Sequence, residues 1–313
     1  MMKAIVYNKK ALPYRLVYSD VDQPIPNDDE LLIQVQAVSL NAADYRSLKL
    51  GIIPQKKIFG ADIVGIVESV GKNIHAYKPG DQLIGNLAEY GFGGLAEYAL
   101  APERLVTAKP VNCSVAEAAT LPMAGQTALQ ALRNKGEIKP GDDVLIIGSG
   151  GGVGSYAVQL AKFFGARVTA VCSPKNVEQA RWLGADDVVD YTTDNFLTDK
   201  RSYDLIVAIN GNYSLLACKR ILRPGGRYVM VGGALTQVFK AILFGRLLSF
   251  GTKKIRSLAE KTTVTDLEFI AQLANDKKIK PVVETCYPLE QAPEAMHYLA
   301  EGHCKGKIVI TID

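Results

Sequence analysis

A run of small residues at positions 148–154 reads Gly-Ser-Gly-Gly-Gly-Val-Gly, a composition that suits the binding of a pyrophosphate. Glycines let the chain turn sharply, let its backbone approach a phosphate closely, and let the next helix pack on the preceding strand. The run follows an apolar segment, 144–147, and opens an amphipathic pattern over 153–164, so phosphates would lie on free N–H groups at a helix N-terminus. The spacing is Gly-x-x-Gly-x-x-Gly and not the strict Gly-x-Gly-x-x-Gly. A flexible loop without a ligand is the alternative, but the strand–turn–helix context predicts a dinucleotide-binding turn.

The residues after the second strand of this region indicate which dinucleotide is bound. That strand ends near Cys172, about 20 residues after the glycines, where an NAD site usually carries Asp or Glu for the ribose 2′-hydroxyl. The chain has Ser173 and Lys175 there instead, with no acid before Glu178. A hydroxyl and a cation suit a 2′-phosphate, so we predict NADPH as the cofactor. The alternative is that Lys175 is a solvated lysine at the start of a helix.

Cysteine and histidine are scarce and scattered, which bears on metal binding and on the redox environment. The chain has five cysteines without a Cys-x-x-Cys pair, and three histidines. This pattern predicts reduced thiols in a cytoplasmic protein, without a disulfide framework and without a metal site. The net charge of +4 over 313 residues argues against nucleic acid or a membrane surface as a partner. No segment is evident that would suit a signal peptide or a bilayer span.

The elements that must position these residues change in character along the chain. Short strand patterns, such as 31–39 and 63–70, alternate with turn signals up to about residue 110 and predict a small barrel-like β domain. From a capping box at Ser114 and Glu117 onward, a helix over 123–135 and then alternating strands and helices predict a doubly wound parallel sheet. The tail predicts two helices, the first with a capping box at Thr265 and Glu268, and a final strand over 307–310.

Together these motifs resemble the medium-chain dehydrogenase/reductase superfamily, and more closely its zinc-free quinone oxidoreductase branch, the zeta-crystallin-like enzymes. The resemblance extends over nearly the whole chain, from MKAIVY near the start, through GADIVGIVESVG at 60–71 and LPMAGQTALQAL at 121–132, to GKIVI at 306–310. It implies an α/β fold in which residues 1–121 and 261–313 form a GroES-like β-barrel catalytic domain. A Rossmann domain, 122–260, is inserted between them. The resemblance also implies a homodimer.

The resemblance places four candidate catalytic residues in one segment. Asn41 and Asp44 match the family's Asn-Pro-x-Asp segment beside the nicotinamide, with Ala42 in place of the proline. Tyr45 and Arg46 follow directly and would supply hydrogen-bond donors or a proton. Each has an alternative: the first two could cap the helix that follows, Tyr45 could be a packing residue, and Arg46 a surface charge.

The resemblance and the strand ends also give a set of residues around the cofactor. The predicted cofactor-binding residues are Thr127, Gly148, Gly151, Gly152, Val153, Gly154, Ser173, Lys175, Tyr191, Asn210, Gly232 and Gly233. In the family, the residue matching Thr127 contacts the nicotinamide half of the cofactor. Those matching Gly151, Gly152 and Val153 form the pyrophosphate turn. Those matching Ser173, Lys175 and Tyr191 surround the 2′-phosphate. The last three fall at the ends of later strands, where the cofactor crosses the sheet edge. Individually, these residues could instead be ordinary helix, packing or turn residues.

Missing ligands define the chemistry that the resemblance implies. Zinc alcohol dehydrogenases of the superfamily place a cysteine in the loop that here spans 39–44, and a histidine in a Gly-His-Glu that here reads Gly60-Ala61-Asp62. Without a metal there is no Lewis acid to polarise a simple ketone, so the substrate must already be electrophilic. Quinones and α,β-unsaturated carbonyls meet this need, because hydride adds to a conjugated position and the negative charge moves to an oxygen. Such a site needs positioning and a few donors. Lys307 is interpreted as a strand-edge lysine, with a position near the cofactor as the alternative.

The sequence therefore predicts a zinc-independent NADPH-dependent reductase of quinones or α,β-unsaturated carbonyls, cytoplasmic and dimeric. The second hypothesis is an NADPH-binding protein with a structural or regulatory role. A zinc alcohol dehydrogenase is the third, and the missing ligands argue against it.

Overall fold

The computed structural model describes residues 1–198, 200–210, 213–232, 249, 251–302 and 304–312, and the chain divides into two compact units. The first unit comprises residues 1–126, 261–277 and 281–313, and the second comprises 127–260 and 278–280. The predicted cofactor residue Gly233 lies outside the described residues.

The strands in chain order are β1 (Met2–Tyr7), β2 (Leu16–Val21), β3 (Glu30–Ser39), β4 (Asp62–Val70), β5 (Gln82–Asn86), β6 (Tyr98–Pro102), β7 (Val106–Ala108), β8 (Asp143–Ile147), β9 (Arg167–Cys172), β10 (Asp187–Asp190), β11 (Tyr203–Ala208), β12 (Leu222–Met230), β13 (Lys254–Ser257), β14 (Val283–Pro288) and β15 (Lys307–Thr311). The α-helices are α1 (Ala42–Leu50), α2 (Val115–Ala119), α3 (Pro122–Leu129), α4 (Gly152–Phe163), α5 (Val177–Trp182), α6 (Leu215–Arg220), α7 (Val264–Asn275) and α8 (Ala292–Ala300). The helix predicted over 123–135 is α3 followed by a π-helical segment, Gln130–Lys135.

The first unit is built on a mainly antiparallel sheet of seven strands in the order β14-β15-β3-β4-β5-β7, with β6 paired to β3. Its central strand β3 alternates as predicted, because Ile33 and Val35 are buried while Gln34 between them is exposed. A separate pair, β1 and β2, is antiparallel. The apolar faces of these strands enclose one core, which includes Ile5, Phe59 and other buried side chains.

The helix start predicted at Ser114 is confirmed. The Ser114 hydroxyl accepts a hydrogen bond from the Glu117 N–H at 3.2 Å, and the Glu117 carboxylate accepts one from the Ser114 N–H at 2.8 Å. These reciprocal bonds satisfy two N–H groups that a helix N-terminus would otherwise leave without partners.

The capping box predicted at Thr265 and Glu268 is wrong. The N-cap of helix α7 is Thr263, two residues before the predicted cap, and the helix begins at Val264. The Thr263 hydroxyl accepts a hydrogen bond from the Asp266 N–H at 3.2 Å. The Thr263 N–H in turn donates to the Gln126 side-chain oxygen at 3.0 Å, so a residue distant in sequence fixes the start of this helix.

The second unit confirms the predicted doubly wound parallel sheet. Its six strands are all parallel and lie in the order β10-β9-β8-β11-β12-β13. That is the strand order of a dinucleotide-binding sheet, in which successive strands are added on one side of β8 and then, from β11 onward, on its other side. The central strand β8 contains Val144, Leu145 and Ile146, all fully buried, as expected for a strand covered on both faces. Strands β13 and β14 gave no signal strong enough to be predicted, since both are short and largely polar or only partly buried.

Candidate functional site

The glycine run forms the turn between β8 and α4, and each glycine has a different physical role. Gly148 has a φ of +88°, in the left-handed region, and a Cβ there would lie 2.9 Å from the Asn210 backbone N. A Cβ on Gly154 would lie 2.2 Å from the carbonyl oxygen of Gly148. At Gly151 a Cβ would meet no heavy atom within 4 Å. The turn therefore requires glycine at two positions for packing, and keeps an open surface at the third.

This open surface coincides with the N-terminus of α4, where an anion fits. Gly151 is the N-cap of α4 and provides no side-chain cap, so the first N–H groups, from Gly152 onward, are left for another acceptor. The helix dipole favours negative charge at the same place. The predicted residues Gly151, Gly152 and Val153 thus form a cradle whose shape and polarity suit a pyrophosphate.

The predicted 2′-phosphate residues lie together at the carboxyl end of β9. Ser173 directly follows β9, Lys175 is exposed in the short turn after it, and the Tyr191 N–H donates to the Cys172 carbonyl at 3.2 Å. The Tyr191 side chain is half exposed. Residues that carry a hydroxyl, a phenol and an ammonium therefore come together at one strand end.

Two buried amide side chains that were not predicted from the sequence hydrogen-bond to the glycine turn and to the residue after β9. The Gln179 side chain donates to the Gly150 carbonyl at 3.1 Å, and the Asn176 side chain donates to the Ser173 hydroxyl at 3.2 Å. A Cβ on Gly150 would come within 2.1 Å of the Asn176 side-chain nitrogen, so these segments are in direct contact. No sequence signal distinguished these amides from other polar residues at the start of α5.

The remaining cofactor candidates lie at strand ends or on α3. Asn210 follows β11 and packs against Gly148, with its N–H directed to the Ile147 carbonyl at 3.3 Å. Gly232 follows β12 and donates to the Ala208 carbonyl at 3.3 Å. The structure thus brings Gly148, Asn210 and Gly232 to the carboxyl edge of one sheet. Thr127 is buried in α3.

In the first unit, the candidate residues Asn41 and Asp44 belong to a buried polar cluster at the start of α1. The Asp44 carboxylate accepts from the Asn41 N–H at 2.8 Å and from the Gly60 N–H at 3.0 Å. The Asn41 side-chain NH₂ donates to the Asp62 carboxylate at 2.9 Å and to the Ser39 carbonyl at 3.1 Å. The capping alternative for Asp44 therefore describes one of its contacts, and the cluster also joins the loop before α1 to the start of β4.

Lys307 completes this cluster, which we call the buried polar cluster of Asn41, Asp44, Asp62 and Lys307. Its ammonium group donates to the Leu40 carbonyl at 2.9 Å and to the Asn41 side-chain oxygen, and lies 3.7 Å from the Asp62 carboxylate. All four side chains are buried. The sequence indicates no role for Asp62 and favours a strand-edge position for Lys307. The available signal was a charged residue at the edge of an otherwise apolar strand in each case.

The charges of the cluster are balanced by two helices as well as by Lys307. Asp44 lies in the first turn of α1, and the second oxygen of Asp62 accepts from the Met123 N–H at 3.0 Å, in the first turn of α3. Each helix N-terminus carries about half a positive charge, so two helices and one ammonium together offset two carboxylates.

Burial acts against these ionised forms. It raises the pKa of Asp44 to about 7, against the hydrogen bonds from the Asn41 and Gly60 N–H groups. It raises the pKa of Asp62 to about 6, while the Lys307 ammonium opposes the shift, and it lowers the pKa of Lys307. Burial therefore disfavours the charged form of each of these three side chains, while the contacts within the cluster favour it.

Tyr45 and Arg46 extend from α1 next to this cluster. The Tyr45 ring packs against the core of the first unit and remains partly exposed. The Arg46 guanidinium carbon lies 5.8 Å from the Tyr45 ring centroid, within range of a cation–π contact. Their position places a phenol and a guanidinium directly after the buried carboxylate of Asp44.

The described ranges of the chain contain neither a metal-binding cluster nor a membrane-spanning helix. No group of three His, Cys, Asp or Glu side chains in those ranges is placed to hold a metal ion. Among the helices described, none is long and apolar enough to cross a membrane.

Comparison with known proteins agrees with this architecture. The model for the alcohol dehydrogenase GroES-like domain matches residues 27–111, and that for the zinc-binding dehydrogenase family matches 183–310. The chloroplast envelope quinone oxidoreductase homolog of Arabidopsis thaliana is 33% identical, over 94% of this chain and 93% of its own length. The chloroplastic NADPH-dependent alkenal/one oxidoreductase of the same plant is 32% identical, over 99% of this chain and 79% of its own. The solved structure of the quinone oxidoreductase from Coxiella burnetii superposes with a TM-score of 0.89 at 28% identity, covering 100% of this chain and 99% of the other.

A GroES-like domain combined with a dinucleotide-binding parallel sheet defines an oxidoreductase of the medium-chain type, and confirms the predicted fold class. The chain belongs to the medium-chain dehydrogenase/reductase superfamily, in its quinone oxidoreductase branch.

Proposed function

We propose that this protein is a zinc-independent reductase that uses NADPH and reduces quinones or α,β-unsaturated carbonyl compounds. The observation that carries the proposal is the buried polar cluster. It occupies the two segments in which related zinc enzymes carry a cysteine and a histidine ligand. Here Asn41 and the buried methyl group of Ala61 stand in those segments, and both oxygens of Asp62 already accept protein N–H groups. This donor set does not fit a catalytic zinc ion.

NADPH fits the second unit. The N–H groups at the start of α4 would hold the pyrophosphate, and Ser173, Lys175 and Tyr191 the 2′-phosphate. When bound, NADPH supplies the hydride. The relative named NADPH-dependent alkenal/one oxidoreductase supports this choice of cofactor by its name.

A conjugated acceptor fits a site that orients its substrate and offers hydrogen-bond donors. Hydride addition to such an acceptor moves negative charge to an oxygen, which a placed donor stabilises. We assign this task to the Tyr45 hydroxyl and the Arg46 guanidinium. Both residues are partly exposed and directly follow Asp44 in α1. Relatives named quinone oxidoreductase, alkenal/one oxidoreductase and 2-methylene-furan-3-one reductase support acceptors of this class.

The proposal is tested by nicotinamide absorbance. Purified protein with NADPH is given quinones, enones and alkenals, with saturated ketones as matched controls that lack the conjugated bond. We expect oxidation of NADPH with the conjugated acceptors and none with the saturated ketones, unchanged by a chelator. Reduction of saturated ketones together with stoichiometric zinc would instead indicate an alcohol dehydrogenase. Tight NADPH binding without turnover of any acceptor would favour the structural or regulatory alternative.

We also propose a cytoplasmic homodimer. None of the five cysteines takes part in a disulfide bond, which suits a reducing compartment. Chloroplasts are named for several relatives, so microscopy of a fluorescent fusion at either terminus is the test of location.

A further inference from the structure

Lys307 is the one lysine among the described residues that is buried, and its ammonium makes two hydrogen bonds and one ion pair. An ammonium group has three N–H donors. Those of Lys307 face the Leu40 carbonyl, the Asn41 side-chain oxygen and the Asp62 carboxylate. A buried cation held in this way costs free energy unless all its partners are in place, so its geometry is tightly constrained.

The ammonium determines which way the Asn41 amide points. With Lys307 donating to the amide oxygen, the amide NH₂ is directed to Ser39 and Asp62, and both of its N–H groups have acceptors. A rotation of the amide by 180° would place NH₂ against the ammonium and oxygen against a carboxylate and a carbonyl. Each of those three contacts would then be repulsive, so Lys307 acts together with Ser39 and Asp62 to hold a single orientation.

The backbone before Lys307 is shaped to deliver it to this place. Gly306 has a φ of +93°, and a Cβ there would lie 2.5 Å from the Val282 carbonyl oxygen. The Lys307 N–H also donates to that carbonyl, at 2.9 Å. Glycine at 306 thus allows β15 to begin with its first side chain turned into the interior.

We propose that Lys307 is a positioning residue for the reductase site: through the Asn41 amide, it fixes the first turn of α1 and so the placement of Tyr45 and Arg46. This inference rests on the proposed function, since those two side chains are its donors. Lys307 itself has no contact with the acceptor. A displacement of about 1 Å at a reacting centre can reduce the rate about 100-fold, so loss of the ammonium is expected to lower kcat strongly and leave NADPH binding unchanged.

The test combines charge removal with chemical rescue. Lys307→Ala removes three methylene groups and the ammonium, and n-propylammonium has the same atoms. We expect at least a tenfold loss of kcat with an unchanged Kd for NADPH, and a saturable recovery with n-propylammonium. Neutral n-propanol should give none. Lys305→Ala, at an exposed lysine two residues earlier, is the matched control and should behave as wild type.

Lys307→Met, which keeps the length of the side chain without its charge, provides a second variant if the alanine variant unfolds. Wild-type kcat in either folded variant, or recovery with n-propanol as well as n-propylammonium, would overturn the proposal. Unfolding of both would also count against it, because the charge would then serve the fold alone. An inactive wild-type protein would instead refute the proposed function. In that case the side-chain NMR signal of Asn41 still tests the amide orientation, because it should shift in Lys307→Met and stay in place in Lys305→Ala.

Discussion

Asp44 combines complete burial with two backbone N–H donors, and the competition between these effects makes it sensitive to pH. Its ordinary pKa of 3.8 is raised to about 7 by burial. Between these two values the folded chain binds a proton that the unfolded chain has lost. The ionisation of Asp44 therefore lowers the free energy of unfolding as the pH rises from about 4 to about 7. The slope is at most about 1.4 kcal/mol per pH unit.

Asp44→Asn is expected to remove this pH dependence. The free energy of unfolding by urea, measured from about pH 5 to about pH 8, should fall less steeply in the variant than in the wild type, even though the variant is less stable at each pH. Asp22→Asn, at an exposed position, serves as the control and should keep the wild-type slope. Equal slopes for Asp44→Asn and wild type would show that Asp44 is not the group that takes up the proton.

Lys175 tests the choice of nicotinamide cofactor. A hydrogen bond to a charged group contributes about 1.5–3 kcal/mol, so Lys175→Ala should weaken NADPH binding by about 10- to 100-fold. NADH lacks the 2′-phosphate and should bind unchanged. The measurement is titration of both dinucleotides by calorimetry or fluorescence, with Lys9→Ala at an exposed position of the first unit as the control. Equal losses for the two dinucleotides would exclude a 2′-phosphate contact.

At the scale of elements, the turn between β8 and α4 separates packing from ligand binding. Gly154→Ala would push a methyl group to 2.2 Å from the Gly148 carbonyl oxygen, and overpacking of this kind costs about 1–3 kcal/mol. Gly151→Ala has free space and a negative φ, so stability should stay within about 0.5 kcal/mol of wild type.

The two glycine variants should therefore change different properties, one the stability and the other the affinity for NADPH. Gly154→Ala lowers the midpoint of urea unfolding, whereas Gly151→Ala keeps it and weakens NADPH binding, because its methyl group projects where the pyrophosphate would lie. Urea unfolding and NADPH titration of both variants provide the check. Normal NADPH affinity in Gly151→Ala would mean that the open surface is not the phosphate site.

Helix α7 shows why a local capping motif can mislead. Two threonines, at 263 and 265, each precede an acidic residue by three positions, so the sequence offers two possible starts. The Gln126 side chain binds the Thr263 N–H and settles the choice. Thr263→Ala should cost about 1 kcal/mol of stability and Thr265→Ala less than about 0.5 kcal/mol, as measured by thermal or urea unfolding. The reverse order would restore the original assignment.

At the scale of the whole molecule, the chain leaves one unit, forms a second and returns. The predicted domain bounds, 1–121 together with 261–313 for one domain and 122–260 for the inserted one, stay a prediction. The proposed dimer is also a property of this scale. Light scattering during gel filtration should give twice the chain mass of 33.9 kDa at every concentration tested, whereas a value of one chain mass would refute the dimer.

The sequence by itself determined the parallel sheet and the glycine turn between β8 and α4. Both depend on local patterns: apolar runs such as 144–147 are buried on two faces, Gly148 has a positive φ, and Gly154 lies against the carbonyl oxygen of Gly148, six residues earlier. The predicted Ser114 cap is local in the same way.

Only the tertiary structure decided the buried polar cluster. Lys307 and Asn41 are 266 residues apart. The residues next to each of them in the sequence do not indicate that the two side chains share one buried hydrogen-bonded site with Asp62. A charged residue next to an apolar run reveals its strand but not what lies across from it. Such a residue can be a solvated residue at the edge of a sheet or a buried ion. The outcome depends on whether the fold brings together partners whose hydrogen bonds and charges offset the cost of removing it from water.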